Sequence, residues 1–209
     1  MTTPESMPRR ARAESALALV ETRALLIRVG MELLTERGFS STGLDAILKR
    51  ATVPKGSFYH YFKSKEDFGH QVMQAYDEYF CKKLDRWLLD EQTAPLQRLR
   101  NFVQDAKRGM ARHGFTRGCL VGNFGQEVGV LPDQYRESMN RILQSWESRV
   151  AACLAIAQQH GAINAQSDCR SLSQFFWIGW EGAVLRAKMM RNADPMDTFL
   201  EGFLAGLPG

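Results

Sequence analysis

Val53-Pro54-Lys55-Gly56-Ser57-Phe58-Tyr59-His60-Tyr61-Phe62 is the stretch on which the reading of this chain turns. Pro54 fixes its own φ, fits the first turn of a helix and biases Val53 away from helical geometry, so a helix is expected to begin here. Phe58 and Phe62 stand four apart and can anchor that helix in a core, which leaves Lys55, Gly56, Ser57, Tyr59 and His60 near its exposed N-terminal end. Just upstream, Leu44, Ile47, Leu48 and Ala51 form the buried face of a short helix that Thr42 can cap, with Asp45 three positions on. Earlier still, Val20, Ala24, Ile27, Met31 and Leu34 recur at spacings of three and four, one apolar stripe on a helix that stops near Gly38. A short helix, a tight turn and a second helix with a polar, basic tip make a helix-turn-helix, which lays its second helix in a DNA major groove. Gly56 lets backbone approach a duplex, and helix-start N–H groups face phosphate. Lys55, Ser57 and Tyr59 reach base edges or sugar-phosphate, with His60, Tyr61 and Lys65 as further phosphate contacts. Core packing accounts for Phe58 and Phe62, but five adjacent residues cannot all point inward from one helix.

The charge distribution points the same way. Of the 209 residues, 44% are hydrophobic and 24% charged, an ordinary globular composition that excludes collagen-like, low-complexity and mostly disordered chains. The net charge is +4, yet residues 1 to 65 hold 11 Lys/Arg against 6 Asp/Glu while the remainder hold 16 against 17. A small basic module that meets a polyanion, joined to a larger near-neutral one, is the expected organisation. A basic solvated tail is the plainer alternative, because Arg9, Arg10 and Arg12 supply three of those charges. The best membrane candidate, Phe175 to Leu185, is 11 residues long and contains Glu181, so no membrane partner is expected. The short apolar piece after Arg9-Arg10 ends at Glu21, unlike an export signal, and a cytoplasmic location is expected. Cys81, Cys119, Cys153 and Cys169 have neither metal-binding nor disulfide-framework spacing, so no metal and no cofactor is called for.

Downstream the pattern is helical throughout. Ser64, with Asp67 three later, caps a long helix carrying Phe68, Val72, Tyr76, Tyr79 and Trp87, and Pro95 opens another. A short helix near Cys119 to Gly129, a long one from Pro132, then Asp168 to Arg191 and Pro195 to Leu207 complete about nine. The fold class is therefore all-α. The expected organisation is a disordered tail over 1–14, a three-helix helix-turn-helix domain over 15–64, and a helical effector-binding and dimerisation domain over 65–209.

Gly38-Phe39-Ser40-Ser41-Thr42, the Ile47-Leu48 pair and the run from Val53 through Glu66 resemble the DNA-binding domain of TetR-family transcriptional regulators. The resemblance spans roughly residues 20 to 68. It implies an all-α homodimer that mostly represses, with an inducer site in its variable C-terminal domain and a four-helix dimer interface built by the last two helices. It also puts the turn and both its helices over about Gly43 to Phe62, with Thr42, Gly43, Lys55, Gly56, Ser57, Tyr59, His60, Tyr61 and Lys65 as the expected DNA-binding set. Two such units about one DNA turn apart, near 34 Å, would read a palindromic double-stranded operator.

Cys119 is the leading candidate for the effector site. Its position at a helix start, with Arg112, His113 and Arg117 nearby in sequence, is of the kind that favours thiolate; a buried inert thiol followed by Leu120 and Val121 is the plainer reading. Gly118-Cys119-Leu120, Gln126-Glu127, and Trp177-Ile178-Gly179-Trp180-Glu181-Gly182-Ala183 with Leu185, Ala187 and Lys188 resemble the repressors of N-ethylmaleimide reductase and of acrylate utilisation. In the former subgroup the matching cysteine and lysine sense reactive electrophiles. The resemblance implies Cys119 as sensor thiol and Lys188 as its electrostatic or hydrogen-bonding partner. The rival is reversible binding of a small unsaturated carboxylate such as acrylate, with Lys188 or Arg186 as anion partner and Tyr76, Trp146 and Trp177 as walls. Among the other thiols, Cys153 lies on an apolar stripe and is expected to be inert, and Cys169, near a helix start, is the expected second reactive thiol.

Gly179, Gly182, Ala183 and Ala187 form a small-residue face suited to a partner helix and, with Phe199, Phe203 and Leu207, make the expected dimer interface; packing within one subunit is the alternative. An enzyme is not expected. A thiol hydrolase using Cys119 and His113 is a distant alternative, because no acidic orienter or oxyanion element is evident.

Overall fold

The computed structural model describes residues 9–208, with side chains from position 18 onward. Among the described residues there are nine helices and no strand: α1 (Arg9–Arg37), α2 (Leu44–Ala51), α3 (Lys55–Phe58), α4 (Lys65–Leu88), α5 (Pro95–Ala111), α6 (Leu120–Gln126), α7 (Asp133–Gln159), α8 (Cys169–Met190) and α9 (Asp194–Ala205). None of them is long and apolar enough to cross a membrane. Of the tail expected over 1–14, residues 1–8 lie outside the described residues, and from Arg9 the backbone is helical, ahead of the expected boundary.

Local chemistry explains most helix ends. α1 stops where Gly38 adopts φ +83, its N–H closing on the Leu34 carbonyl. Ser64 caps α4 by accepting the Asp67 N–H at 3.1 Å, and Asp168 caps α8 by accepting from Arg170 and Ser171. Pro95 occupies the first turn of α5, where its missing N–H costs nothing. α2 ends on Thr52, whose left-handed φ of 56 lets the Val53 N–H reach back to the Leu48 carbonyl.

Three expectations need correction here. On α1, Val20 is 66% exposed and Ala24 also faces solvent; the buried face begins one turn later with Leu26, Ile27, Val29, Leu33 and Leu34. The helix expected from Pro54 through Phe62 is α-helical only over Lys55–Phe58, after which His60 and Tyr61 close tighter turns onto the carbonyls of Ser57 and Phe58. Most of the small-residue face of α8 is filled within this chain: a Cβ at Gly179 would land on the Phe199 ring of α9, and Ala183, Ala187 and Phe203 are buried in this subunit, while Gly182 stays in solvent. Leu207 packs against the same core. What α8 leaves in solvent is a different apolar stripe, Phe175, Ile178, Leu185 and Met189.

α1 lies against α2, α4 and α6, and α7 packs on α4, α5 and α8. Phe58, Phe62 and Phe68 form the aromatic joint of the first three helices with α4, the last two with centroids 4.8 Å apart. Deeper in the larger part, Phe80, Trp146 and Trp177 pack ring on ring, 4.4 Å and 5.1 Å between centroids. This second core positions a cavity between α4, α5, α6 and α8.

Candidate functional site

The tip of the helix-turn-helix presents Gly43, Lys55, Gly56, Tyr59 and His60 to solvent, with Ser57 and Tyr61 half-buried beside them. Tyr59, 59% exposed although its ring stands edge-on to the buried Phe58, is the largest apolar surface there. Lys55 meets Asp45 of α2 at 3.2 Å in an exposed pair that a phosphate can replace at little cost. Two of the residues expected to contact DNA do not face outward. Thr42 is fully buried and its hydroxyl donates to the Gly38 carbonyl at 2.6 Å, while Gly43 takes the N-cap position of α2 without a side-chain cap. Lys65 turns inward, its ammonium 2.8 Å from the Phe39 carbonyl and 4.3 Å from the centre of the Phe39 ring, and burial lowers its pKa.

A cavity of about 190 Å³ opens between α4, α5, α6 and α8. Tyr76, Phe80, Met110, Trp180 and Val184 wall it, and Cys119 closes one side. Four basic side chains also line it: Lys83, Arg112, His113 and Arg117. Lys83 is held by Asp105 at 2.9 Å and Arg117 by Glu32 at 3.4 Å; Arg112 and His113 are exposed. Trp146 and Trp177, expected as walls, belong instead to the core; Trp146 donates to Asp77 at 2.8 Å. Arg186 lies across α8 in a groove against α9 and does not reach this cavity.

Cys119 is 7% exposed and is the N-cap of α6, its Sγ accepting the Gly122 N–H at 3.4 Å. The thiolate expectation is reversed. Burial, reinforced by the Glu181 carboxyl, pushes the Cys119 thiol well above its ordinary range, and the helix-start N–H offsets only part of that. Lys188 does not serve this thiol: its ammonium donates to the carbonyls of Thr35 at 3.3 Å and Glu36 at 2.8 Å. Cys169 donates weakly to Gln158 and its thiol is pushed up by burial, so the expectation of a second activated thiol fails; burial also lifts Cys153, to about 11.

The segment that Cys119 begins also grips the end of α1. Gly118 N–H donates to the Thr35 carbonyl at 3.1 Å, and the Asn123 amide donates to the carbonyls of Leu34 and Thr35, both at 2.9 Å. Glu127, just past α6, accepts the N–H groups of Phe39 and Ser40 at 2.9 and 2.7 Å. With Lys188 these contacts join the first three helices to the cavity.

Residues 26–72 match the family described as bacterial regulatory proteins, tetR family, and residues 95–203 match the tetracyclin repressor-like C-terminal domain. The chain belongs to the TetR family of transcriptional regulators. Among relatives of this TetR-family chain, the transcriptional regulator AcuR of Cereibacter sphaeroides is 51% identical over 204 residues, covering 96% of this chain and 93% of that protein. The crystal structure of a regulatory protein TetR from Rhodobacter sphaeroides superimposes with a TM-score of 0.87 at 52% identity, covering 88% of this chain and 97% of that one. Reduced NemR of E. coli gives 0.79 at 29% identity, over 88% of this chain and 95% of that one.

In this TetR-family fold the residues to which sequence reasoning gave no role are Asn123, Glu127 and Glu181. Glu181 left a legible signal, a single carboxylate inside the apolar run Phe175 to Leu185. Glu127 stood in the Gln126-Glu127 pair without a role and Asn123 left no signal, because the partners of both are backbone groups 87 to 89 positions away.

Proposed function

We propose that this chain is a homodimeric repressor that leaves a palindromic operator when a small electrophilic unsaturated compound enters the cavity and reacts at Cys119. The observation that carries this is a coincidence of place: Cys119 borders the cavity and also caps the helix whose next turn holds the end of α1. An adduct on Sγ changes the cap and fills the cavity, displacing α6. The first three helices then lose their fixed angle to the body, and the two recognition tips no longer match successive grooves. The exposed stripe of Phe175, Ile178, Leu185 and Met189 on α8 is the surface we assign to the second subunit.

Reversible binding of a small unsaturated carboxylate is the second reading. The cluster of Lys83, Arg112, His113 and Arg117 favours it, and replaces Lys188 and Arg186 as the anion partner. Cys119→Ser separates the two. Fluorescence anisotropy of a labelled operator duplex should show unchanged affinity for the variant and no release by electrophiles. Release as ready as in the parent protein would refute covalent sensing and support reversible binding.

A further inference from the structure

Three ionisable groups meet about the start of α6: the Tyr76 hydroxyl of α4 and the Cys119 thiol border the cavity described above, and the Glu181 carboxyl of α8 borders with Cys119 and Lys188 an adjoining cavity of about 260 Å³. Both neighbours lie close enough to the thiol to act on its ionisation, while the hydrogen bond that Sγ accepts comes from the Gly122 N–H at 3.4 Å. Room for the carboxyl comes from Gly122, where a Cβ would fall on Glu181 Oε2 and touch the Cys119 Cβ at 3.5 Å. Glu181 Oε1 is sealed from solvent and has no hydrogen-bond partner. Among the described residues no cation compensates it. Lys188, about two turns further along α8, is turned to the α1 carbonyls, and Arg136 of α7 is exposed, lining a separate cavity that Glu181 also borders. From α6, the polar side chains that share a cavity with it, Asn123 and Gln126, are both neutral. A buried carboxyl with a free oxygen contributes poorly to folding, because neither charge form is well solvated. Its one polar side-chain neighbour of chemical consequence is the thiol.

We propose that Glu181 is the proton acceptor that makes the Cys119 thiol nucleophilic toward activated alkenes, a role that rests on the covalent reading of Cys119 above. The ligand class is a small α,β-unsaturated carbonyl compound. Ionised Glu181 takes the proton from Sγ, and the sulfur electron pair forms an S–C bond to the β-carbon. The C=C π pair moves toward the carbonyl as an enolate, and the protonated carboxyl returns its proton to the α-carbon. The product is a thioether, Glu181 is regenerated, and nothing is oxidised or reduced. Tyr76, kept neutral because burial raises its pKa, remains an O–H donor on the wall of the same cavity. The scheme also accounts for a thiol too weakly acidic to react alone: Glu181, lifted by burial to about 7, is ionised in part of the molecules near neutrality and can act as a base there.

Intact-mass kinetics of alkylation by methyl acrylate test this, with the full-length protein and its Glu181→Gln and Cys119→Ser variants between about pH 5.5 and about pH 9. The parent rate should rise with a midpoint near 7. Glu181→Gln should lose that midpoint and react about 100-fold more slowly at slightly alkaline pH. Equal rates for the parent and Glu181→Gln would overturn the proposal, as would a parent rate that follows only the ionisation of the thiol itself at higher pH. Should Glu181→Gln fail to fold by circular dichroism, the parent profile decides alone by the same midpoint. Undiminished adduct formation in Cys119→Ser would overturn the covalent reading itself, a failure distinct from the other two.

Discussion

Glu181 makes the stability of this protein depend on pH in an unusual direction. Most carboxylates that matter to folding are stabilised as ions, so stability is lost as pH falls. Here burial raises the pKa from 4.5 to about 7. The folded state holds the proton more tightly than the unfolded chain does. Its contribution is therefore fully present below about 4.5, declines as the unfolded chain ionises first, and is gone once pH exceeds the folded value. The residue as a whole is only half-buried, but its Oε1 is sealed off, and it is the carboxyl that sets the cost of ionisation. That gap in pKa is worth about 3 kcal/mol at most. In a chain of this length it corresponds to a Tm change of roughly 6–12 °C. Glu181→Gln removes the titration and keeps the shape. Thermal unfolding of both proteins, ligand-free and at one protomer concentration, should show the parent losing several degrees relative to the variant between mildly acid and mildly alkaline pH. The other ionisable side chains are common to both proteins and drop out of the difference. Tyr76 and Cys119 are also pushed up, so their effects have the same sign at higher pH. Parallel curves for the two proteins would refute the assignment of an enclosed, uncompensated carboxyl.

Three further outcomes follow from the grip on α1 and from the tip. Glu127→Gln should cost roughly 1–2 kcal/mol by chemical denaturation, because an amide cannot accept from both backbone N–H groups as a carboxylate does; hydrogen exchange at the Phe39 and Ser40 amides should accelerate in step, and unchanged exchange would remove this contact from the coupling. Lys55→Glu should weaken operator binding and lower the slope of log affinity against log salt by about 1 per subunit. Lys65→Gln should instead reduce stability with the salt slope intact, since that ammonium is held by the Phe39 carbonyl.

The helix-turn-helix was legible because its signals are local. Pro54, Gly38 and the Ser64–Asp67 cap act on neighbours a few positions away, and Phe58 and Phe62 reveal their face by spacing alone. Spacing does not say what fills a face, and this is where the reading of α8 went astray: Gly179, Ala183 and Ala187 are small because α9 of the same chain lies on them. Residue type does not report burial either. Thr42 and Lys65 have the chemistry of DNA contacts, yet each is turned inward by a single carbonyl, that of Gly38 or of Phe39. At the effector site the partners stand too far apart in sequence to be paired by pattern. The cysteine and lysine implied to work together face different groups, one Glu181 and the other the last turn of α1, more than 150 residues away.

That last turn is where sensing and DNA recognition have to meet, and its chemistry sets how much disturbance is enough. A helix ends with carbonyls that lack partners within the helix, and their partial negative charge favours a cation. In α1 the carbonyls of Leu34, Thr35 and Glu36 are satisfied by Gly118, Asn123 and Lys188, all belonging to the cavity side, while Glu127 takes the next free amides. The C-terminus of α1 is thus held through groups that flank Cys119 or lie on α8. Hydrogen bonds to charged groups contribute about 1.5–3 kcal/mol each, and coupling between sites is commonly about 1–3 kcal/mol. On the proposed reading, an inducer need not unfold anything or break the whole set. Loosening Lys188 or Glu127 alone is comparable to a full allosteric effect. Because these bonds weaken steeply with angle and distance, a small shift of α6 accomplishes it. On the same reading the coupling is reciprocal: operator binding, by fixing α1, should hold α6 in place and slow reaction at Cys119.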